Sequence, residues 1–356
     1  DLCLSCKACK TECPSNVDIA RLKAEYQAQR FRSGSMPTLK DRLMAEVRTL
    51  NRLGSMLPEM ANAAQGSRLG RGLIGRVMGL HPERSLPGFA PSLFGWKKRR
   101  ERRAPKGGKA RPRVVLFADC FTTYNEPHIG GAAALALEAF GYEVVLPRSG
   151  CCGRPAMSMG LLPRAIEQAS RTLDDLAPYI EDEGVVAILV CEPSCLSEFK
   201  DDWLSLKMPG DRGLRERLAG KAMLVEEFLD ARWESHPRRP QLAGERTVLL
   251  HAHCHQKALW GAETSARLLR RVFGDRLKVL DTGCCGMAGS FGYAAHRYDL
   301  SMRIGELTLF PAVRAAGDGA EVAAPGTSCR HQLKDGVGIR AKHPIELIAE
   351  ALPPSA

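Results

Sequence analysis

Nowhere in the 356 residues do eighteen apolar residues run together, which excludes a membrane-spanning helix and leaves only peripheral membrane association open. No P-loop, G-x-G-x-x-G signature or Ser-His-Asp motif stands out, so the common nucleotide-binding and triad-hydrolase chemistries have no footing; Gly130 and Gly131 fall inside a helical pattern. Aromatic residues make up only 6%. The net charge of +11 is concentrated in residues 97–113, where ten Lys and Arg face the single Glu101 among Pro105, Gly107, Gly108 and Pro112. Phe94 and Trp96 merely precede this segment, whereas a base-stacking platform interleaves aromatic and basic side chains. It reads as a solvated linker, with docking on an acidic partner or anionic lipid as the alternative, and nucleic acid is not an expected partner. There is also no signal-peptide pattern, so the thirteen cysteines are expected to serve as metal-binding thiols in a reducing, cytoplasmic setting, without structural disulfides.

Against these absences stands the cysteine pattern itself. Cys3, Cys6, Cys9, Cys13 and Pro14 spell C-x2-C-x2-C-x3-C-P, the run that binds [4Fe-4S] clusters in bacterial-type ferredoxins, where the fourth cysteine ligates the other cluster. No second run follows. Cys13 is therefore expected to share a cluster with cysteines of an upstream portion or a partner, or else all four close a single cluster. A zinc knuckle would show two separated C-x2-C pairs or interspersed His.

Asp18 is placed to cap a helix whose apolar positions Ile19, Leu22 and Tyr26 are expected to pack beside the cluster. Helical periodicity over residues 38–62 and 68–80 (Leu39, Leu43, Val47, Leu50; Leu69, Leu73, Val77) suggests a connector with a core-facing stripe, and residues 82–112 read as a linker. From Arg113 strands and helices alternate. Strands are expected at 114–118, 143–146 and 185–190, with helices at 126–140, capped by Asn125, and at about 161–181. This order predicts a parallel sheet covered by helices.

The order returns from Thr247. Cys120 and Cys254 close matching segments 134 positions apart, Cys151-Cys152-Gly153 matches Cys284-Cys285-Gly286 at 133, and Cys195 matches Cys329 at 134. One offset held over three motifs predicts an internal duplication. In each copy the cysteines follow strands, and in parallel sheets such loops gather at one edge where ligands bind. The first copy offers five thiols, Cys120, Cys151, Cys152, Cys191 and Cys195. The second offers Cys254, Cys284, Cys285 and Cys329, with Pro325 in place of Cys191 and with His253 and His255 as additional candidate ligands. Such Cys and Cys/His sets suit either zinc or an iron-sulfur centre.

The repeated C…CCG…C pattern resembles the cysteine-rich, or CCG, domain family of iron-sulfur proteins. That family includes the glycolate oxidase iron-sulfur subunit, the C subunit of anaerobic glycerol-3-phosphate dehydrogenase and the heterodisulfide reductase B subunit. Residues 2–14, 253–259 and 326–332 are similar to the C-terminal half of FAD-linked D-2-hydroxyacid dehydrogenases of the D-lactate or D-2-hydroxyglutarate type. The resemblance covers residues 1–35 and about 113–350. It implies an α/β fold of two duplicated parallel-sheet CCG domains (113–240 and 241–356), preceded by a partial ferredoxin-type segment (1–35) and by a helical connector with a basic linker (36–112). It further implies electron relay from FAD, held by an upstream or partner dehydrogenase portion, to an acceptor such as a quinone, cytochrome or flavoprotein. Two other readings are disulfide chemistry at the five-cysteine site, motivated by Cys191, and a zinc-bound docking scaffold. The C-x3-C spacing of Cys191 and Cys195 departs from the family's usual C-x2-C.

Overall fold

In the computed structural model, which describes residues 2–101, 111–317 and 319–353, two parallel sheets share one core. Strands β1 (Arg113–Leu116), β2 (Glu143–Val145), β3 (Val185–Val190) and β4 (Ala222–Leu224) form the first, in the order β2-β1-β3-β4. Strands β5 (Thr247–Leu250), β6 (Leu277–Val279) and β7 (Ala320–Ala323) form the second, in the order β6-β5-β7. Val114 pairs with Val144 and Ala187, and Val248 with Leu277 and Glu321. Those partners stand at the same offsets as the cysteine motifs, so the register of the second sheet repeats that of the first.

The inner strands β1, β3 and β5 are largely buried on both faces, as expected of a parallel sheet, whereas the edge strands β2 and β6 are half-buried or exposed. One face of each sheet contributes to a common core that includes Val114, Leu116, Ala187 and Leu189 from the first and Val248 and Leu250 from the second. Between them pack the helices Pro127–Ala139 with Pro344–Glu350 and Val225–Ala231 with Glu263–Phe273. The opposite faces have separate cores, around Phe199 and Trp203 for the first sheet and around Met287 and Phe310 for the second.

Several features differ from the sequence reading. The helix before the core begins at Pro127 with Glu126 at its cap, while Asn125 ends the preceding short helix Cys120–Tyr124. A proline at the first turn is favourable because its missing N–H would be unpaired there anyway.

The 82–112 segment is not simply a linker: Leu93–Glu101 is a helix, and it lies on the helix Pro127–Ala139 with Leu93 buried. Gly130 makes the approach feasible, since a Cβ there would sit 2.4 Å from a Leu93 methyl. Arg84 is buried as well, donating to the Gly292 carbonyl at 2.7 Å and to Ser301 Oγ at 2.8 Å, beside Asp335. Residues 80–101 thus strap the two sheets together. The basic stretch 102–110 lies outside the described residues.

The helix Ile19–Arg32 forms as expected, with Asp18 accepting from the Arg21 N–H at 2.9 Å, but Ile19, Leu22 and Tyr26 are exposed. It packs instead through Ala24 and Ala28, in a small core with Ala45, Ala156 and Ala165. The connector is four short helices, Leu39–Ala45, Val47–Gly54, Pro58–Gly66 and Arg68–Met78. Its stripe is exposed too at Leu39, Leu50, Leu69, Leu73 and Val77. Alanine faces let helices approach closely, and that leaves the larger apolar side chains outside. Among the described residues no helix is long and apolar enough to cross a membrane.

Candidate metal centres

The N-terminal run curls because Ser5 (φ 53°) and Lys7 (φ 64°) adopt left-handed backbone, which turns N–H groups inward. Ser5 N–H points at Cys3 Sγ and Ile19 N–H at Cys9 Sγ, both at 3.4 Å. All four cysteines are half-buried. Backbone N–H groups of Val17, Ser15 and Asn16 draw the Cys13 thiol below its ordinary value, whereas burial pushes Cys6 up, with Cys254 among the charges that add to it. The thiols of Cys6 and Cys254 are therefore electrostatic neighbours.

Lys7 anchors this loop. Its buried ammonium bonds Asp201 at 2.7 Å and Asp202 at 2.6 Å on the π-helix Glu198–Asp202, an unusual turn that brings these carboxylates together. Burial alone would lower the Lys7 value, but the two carboxylates outweigh it and hold the group charged. Among the described residues, Asp18, Asp201 and Asp202 are the one set of three His, Cys, Asp or Glu side chains whose ligand atoms all lie within 4.8 Å of one another, and the cysteine sulfurs stand instead in pairs. Lys7 and Lys10 already neutralise the aspartate set.

In the first sheet the thiols of Cys120, Cys151, Cys152 and Cys195 lie at one edge as a row of neighbouring pairs. Cys120 starts a helix whose cap, Asp119, accepts from Phe121 and Thr122 N–H at 3.1 and 2.9 Å. Gly153 (φ 87°) then turns the chain where a Cβ would lie 2.8 Å from the Ala165 carbonyl. Cys120 and Cys151 sulfurs are 3.6 Å apart, and Cys152 and Cys195 sulfurs 3.2 Å. The bond to Cys151, together with burial, drives the Cys120 thiol well above its ordinary value.

The second sheet repeats this chain of neighbours: Cys254 with Cys284, Cys284 with Cys285, Cys285 with Cys329. Cys284 gains from its bond with Cys254 but is pushed up to about 12 by Cys285 and by burial. The two sites differ in access: all four thiols of the first are buried, while Cys254 and Cys284 are half-exposed.

Cys191 does not join the first site. It continues the alternation of β3, with Ala187 and Leu189, into the core between the sheets, whereas Cys152 and Cys195 lie in the core on the other face. Its largest influences are burial and then Asp119 and Glu226. Cys191 thus lies on the opposite face of the sheet from Cys152 and Cys195, which the five-thiol expectation did not anticipate.

The histidines are occupied in the same sense. His253 stands where Asp119 stands in the first half and does the same work, with its Nδ1 accepting from His255 N–H at 3.2 Å to cap the helix Cys254–Leu259. His255 shares one ring nitrogen with Ser197 Oγ at 2.8 Å and the other with the Ser5 carbonyl at 2.9 Å. It ties the N-terminal run to both sheets. Burial keeps both rings neutral, His253 at about 4 and His255 well below the ordinary value.

Other residues at the sites carry no sequence motif. Glu192 uses one carboxylate oxygen for the Ser194 N–H and the other for the Thr327 N–H, capping helices of both halves. Arg330 and Glu126 form a buried pair across the same seam. Arg48, from the connector, reaches the first thiol site. Comparing the halves position by position could have found Glu192, which stands opposite Gly326; nothing in the sequence marks Arg48.

Residues 114–200, which contain the whole first site, match the family model described as the cysteine-rich domain, CCG. This part of the chain is similar to the CCG cysteine-rich domain. The relatives extend the likeness beyond it. The C subunit of anaerobic glycerol-3-phosphate dehydrogenase from Escherichia coli K12 is 26% identical over 345 residues, covering 95% of this chain and 83% of the relative. The glycolate oxidase iron-sulfur subunit of the same organism is 24% identical over 371 residues, covering 99% and 82%. D-2-hydroxyglutarate dehydrogenase, again from Escherichia coli K12, is 27% identical over 357 residues, but these are 98% of this chain and 34% of the relative. The chain thus spans about a third of that dehydrogenase's length. Its relatives are oxidoreductases or parts of them.

Proposed function

We propose that the protein is an iron-sulfur electron-transfer module of a flavin-dependent D-2-hydroxyacid dehydrogenase. The observation that carries this is the repetition of one four-thiol arrangement at equivalent edges of two sheets in equivalent register, with the N-terminal cysteine run beside the second of them. A single buried thiol cluster could be packing; two in register, next to a third, describe a series of centres.

The donor chemistry fits. Each site presents four sulfurs, and His253 and His255 are committed to capping and bridging, which favours all-cysteine ligand sets. Cys120, Cys151, Cys152 and Cys195 would hold one centre and Cys254, Cys284, Cys285 and Cys329 another, which makes the second half a further CCG domain. Cys3, Cys6, Cys9 and Cys13 would serve [4Fe-4S] binding. Bound clusters supply one-electron storage. The protein's own part is to enclose the thiols, turn the chain tightly at Gly153 and Gly286, and keep the segments in register through His255 and Glu192.

FAD and the hydroxy acid would belong to a dehydrogenase portion or partner, and a quinone, cytochrome or flavoprotein would take the electrons. Cys191 packs in the core between the sheets, away from Cys152 and Cys195, and this placement favours the relay over the disulfide-chemistry reading.

Iron, acid-labile sulfide and zinc analysis of the purified protein tests the proposal, combined with low-temperature EPR of wild type and of Cys152→Ser and Cys285→Ser. Iron and sulfide are expected, with each variant losing one set of signals. Zinc as the only bound metal at the two CCG-type sites would replace the electron-relay account with a structural one.

A further inference from the structure

One backbone carbonyl recurs at both thiol sites, and each time a cation sits on it. It belongs to the residue two positions before the paired cysteines: Ser149 in the first half and Thr282 in the second. At Ser149 the cation is Arg48, whose Nη2 donates to that oxygen while Nη1 donates to the Ala118 carbonyl at 2.8 Å and lies 3.9 Å from Cys120 Sγ. At Thr282 the cation is Lys257, whose Nζ donates to that oxygen and to the Gly283 carbonyl at 3.1 Å.

The two arrive by different routes. Lys257 lies on the helix that begins with Cys254, and the position matching it in the first half is Thr123, which is buried and uncharged. The first half has no cation of its own at this place, and the connector helix Val47–Gly54 delivers one from outside. Arg48 is held by the ring of Tyr124, 5.5 Å from its guanidinium carbon, as well as by its two carbonyls.

We infer that Arg48 and Lys257 are equivalent positioning residues, each pinning the paired-cysteine loop of its own site and setting the potential of the centre held there. This rests on the electron-relay reading above. Its physical basis is that a fixed positive charge beside thiolate ligands favours the reduced, more negative state, and that the potential of an iron-sulfur centre follows net charge, hydrogen bonding and solvent exposure. Both cations are half-buried, but Arg48 lies 3.9 Å from the buried Cys120 sulfur, whereas Lys257 sits on carbonyls beside the half-exposed Cys284, where solvent screens its charge more. The larger effect belongs to the first site.

The test is an EPR-monitored redox titration of the iron-loaded full chain, with the two sites' signals assigned through Cys152→Ser and Cys285→Ser. Arg48→Met should lower the midpoint of the first site's centre, by about tenfold in the oxidised-to-reduced ratio at fixed ambient potential, or about 59 mV for a one-electron centre. The second site should stay unchanged. Lys257→Met should do the converse, by less. Arg48→Lys, which keeps the charge, should recover most of the shift, and a purely structural role would not produce that recovery. Unchanged midpoints in both Met variants, or equal shifts at both sites, would overturn the inference while leaving the relay reading intact. Wild-type protein without iron at these sites would overturn both, and metal analysis before the titration separates the two failures. Should Arg48→Met fail to fold, Arg48→Lys and Lys257→Met still decide the matter.

Discussion

Gly286→Ala is expected to cost about 2–6 kcal/mol and to prevent metal loading of the second thiol site. Two penalties combine. Gly286 sits at φ 92°, where an L side chain is strained by roughly 1–3 kcal/mol. Its Cβ would also meet the Ser301 carbonyl oxygen at 2.2 Å, an overlap with backbone that must displace something at about 1–3 kcal/mol or more. Relief is blocked, because Ser301 accepts from Gln332 Nε2 at its carbonyl and from Arg84 at its hydroxyl, which itself donates to the Gly286 carbonyl. Movement there would pull the adjacent Cys285 out of place. Gly153→Ala, with 2.8 Å to the Ala165 carbonyl, should be milder. Denaturant midpoints and iron per chain for the two variants check this; equal stability of Gly286→Ala and wild type would show that the loop accommodates a side chain.

The other large effect is expected at the seam between the halves. Arg330→Met should destabilise the protein by about 3–5 kcal/mol, the range for breaking a buried ion pair from one side. Arg330 is 7% exposed and serves Glu126 at 2.6 Å, Thr327 Oγ1 and the carbonyls of Ala324 and Pro325, so its removal leaves several buried acceptors unpaired.

The pair also dictates a pH dependence. Burial alone would raise the Glu126 carboxyl, but Arg330 outweighs it and holds the group at about 2, against an ordinary 4.5. A carboxyl depressed in the folded state contributes stability that is full above its unfolded value and is lost as pH falls through the folded one. The stability gap between wild type and Glu126→Gln should therefore be widest above about pH 5 and narrow towards pH 2. A gap that stays constant across this window, measured by denaturation at each pH, would mean that the charge of Glu126 does not stabilise the fold.

Much of the sheet architecture was legible from residue spacing. The alternation of strands and helices predicted parallel sheets, and the three cysteine offsets anticipated a register repeat that the strand pairings display. The cysteines themselves were less legible one by one. Cys191 and Cys195 look like one motif in the sequence, yet Cys191 still obeys the period-two alternation of β3 while Cys195 lies on the following helix; reading the strand one residue further would have sent Cys191 to the core. Helical periodicity failed in another way. It marked Ile19, Leu22 and Tyr26 as a coherent stripe but could not say that Ala24 and Ala28 form the buried face. Arg48 was invisible because its partners are main-chain carbonyls far along the chain, and no composition or spacing rule encodes those.

The shared carboxylate of Glu192 makes the two halves non-interchangeable. A chimaera built from two second halves would carry Gly326 at both positions and supply neither helix with its acceptor. In the native chain the Gly326 position could not take the carboxylate in return, since a Cβ there would lie 2.2 Å from the His253 ring carbon. Whatever symmetry the halves began with, each is now fitted to the other's difference.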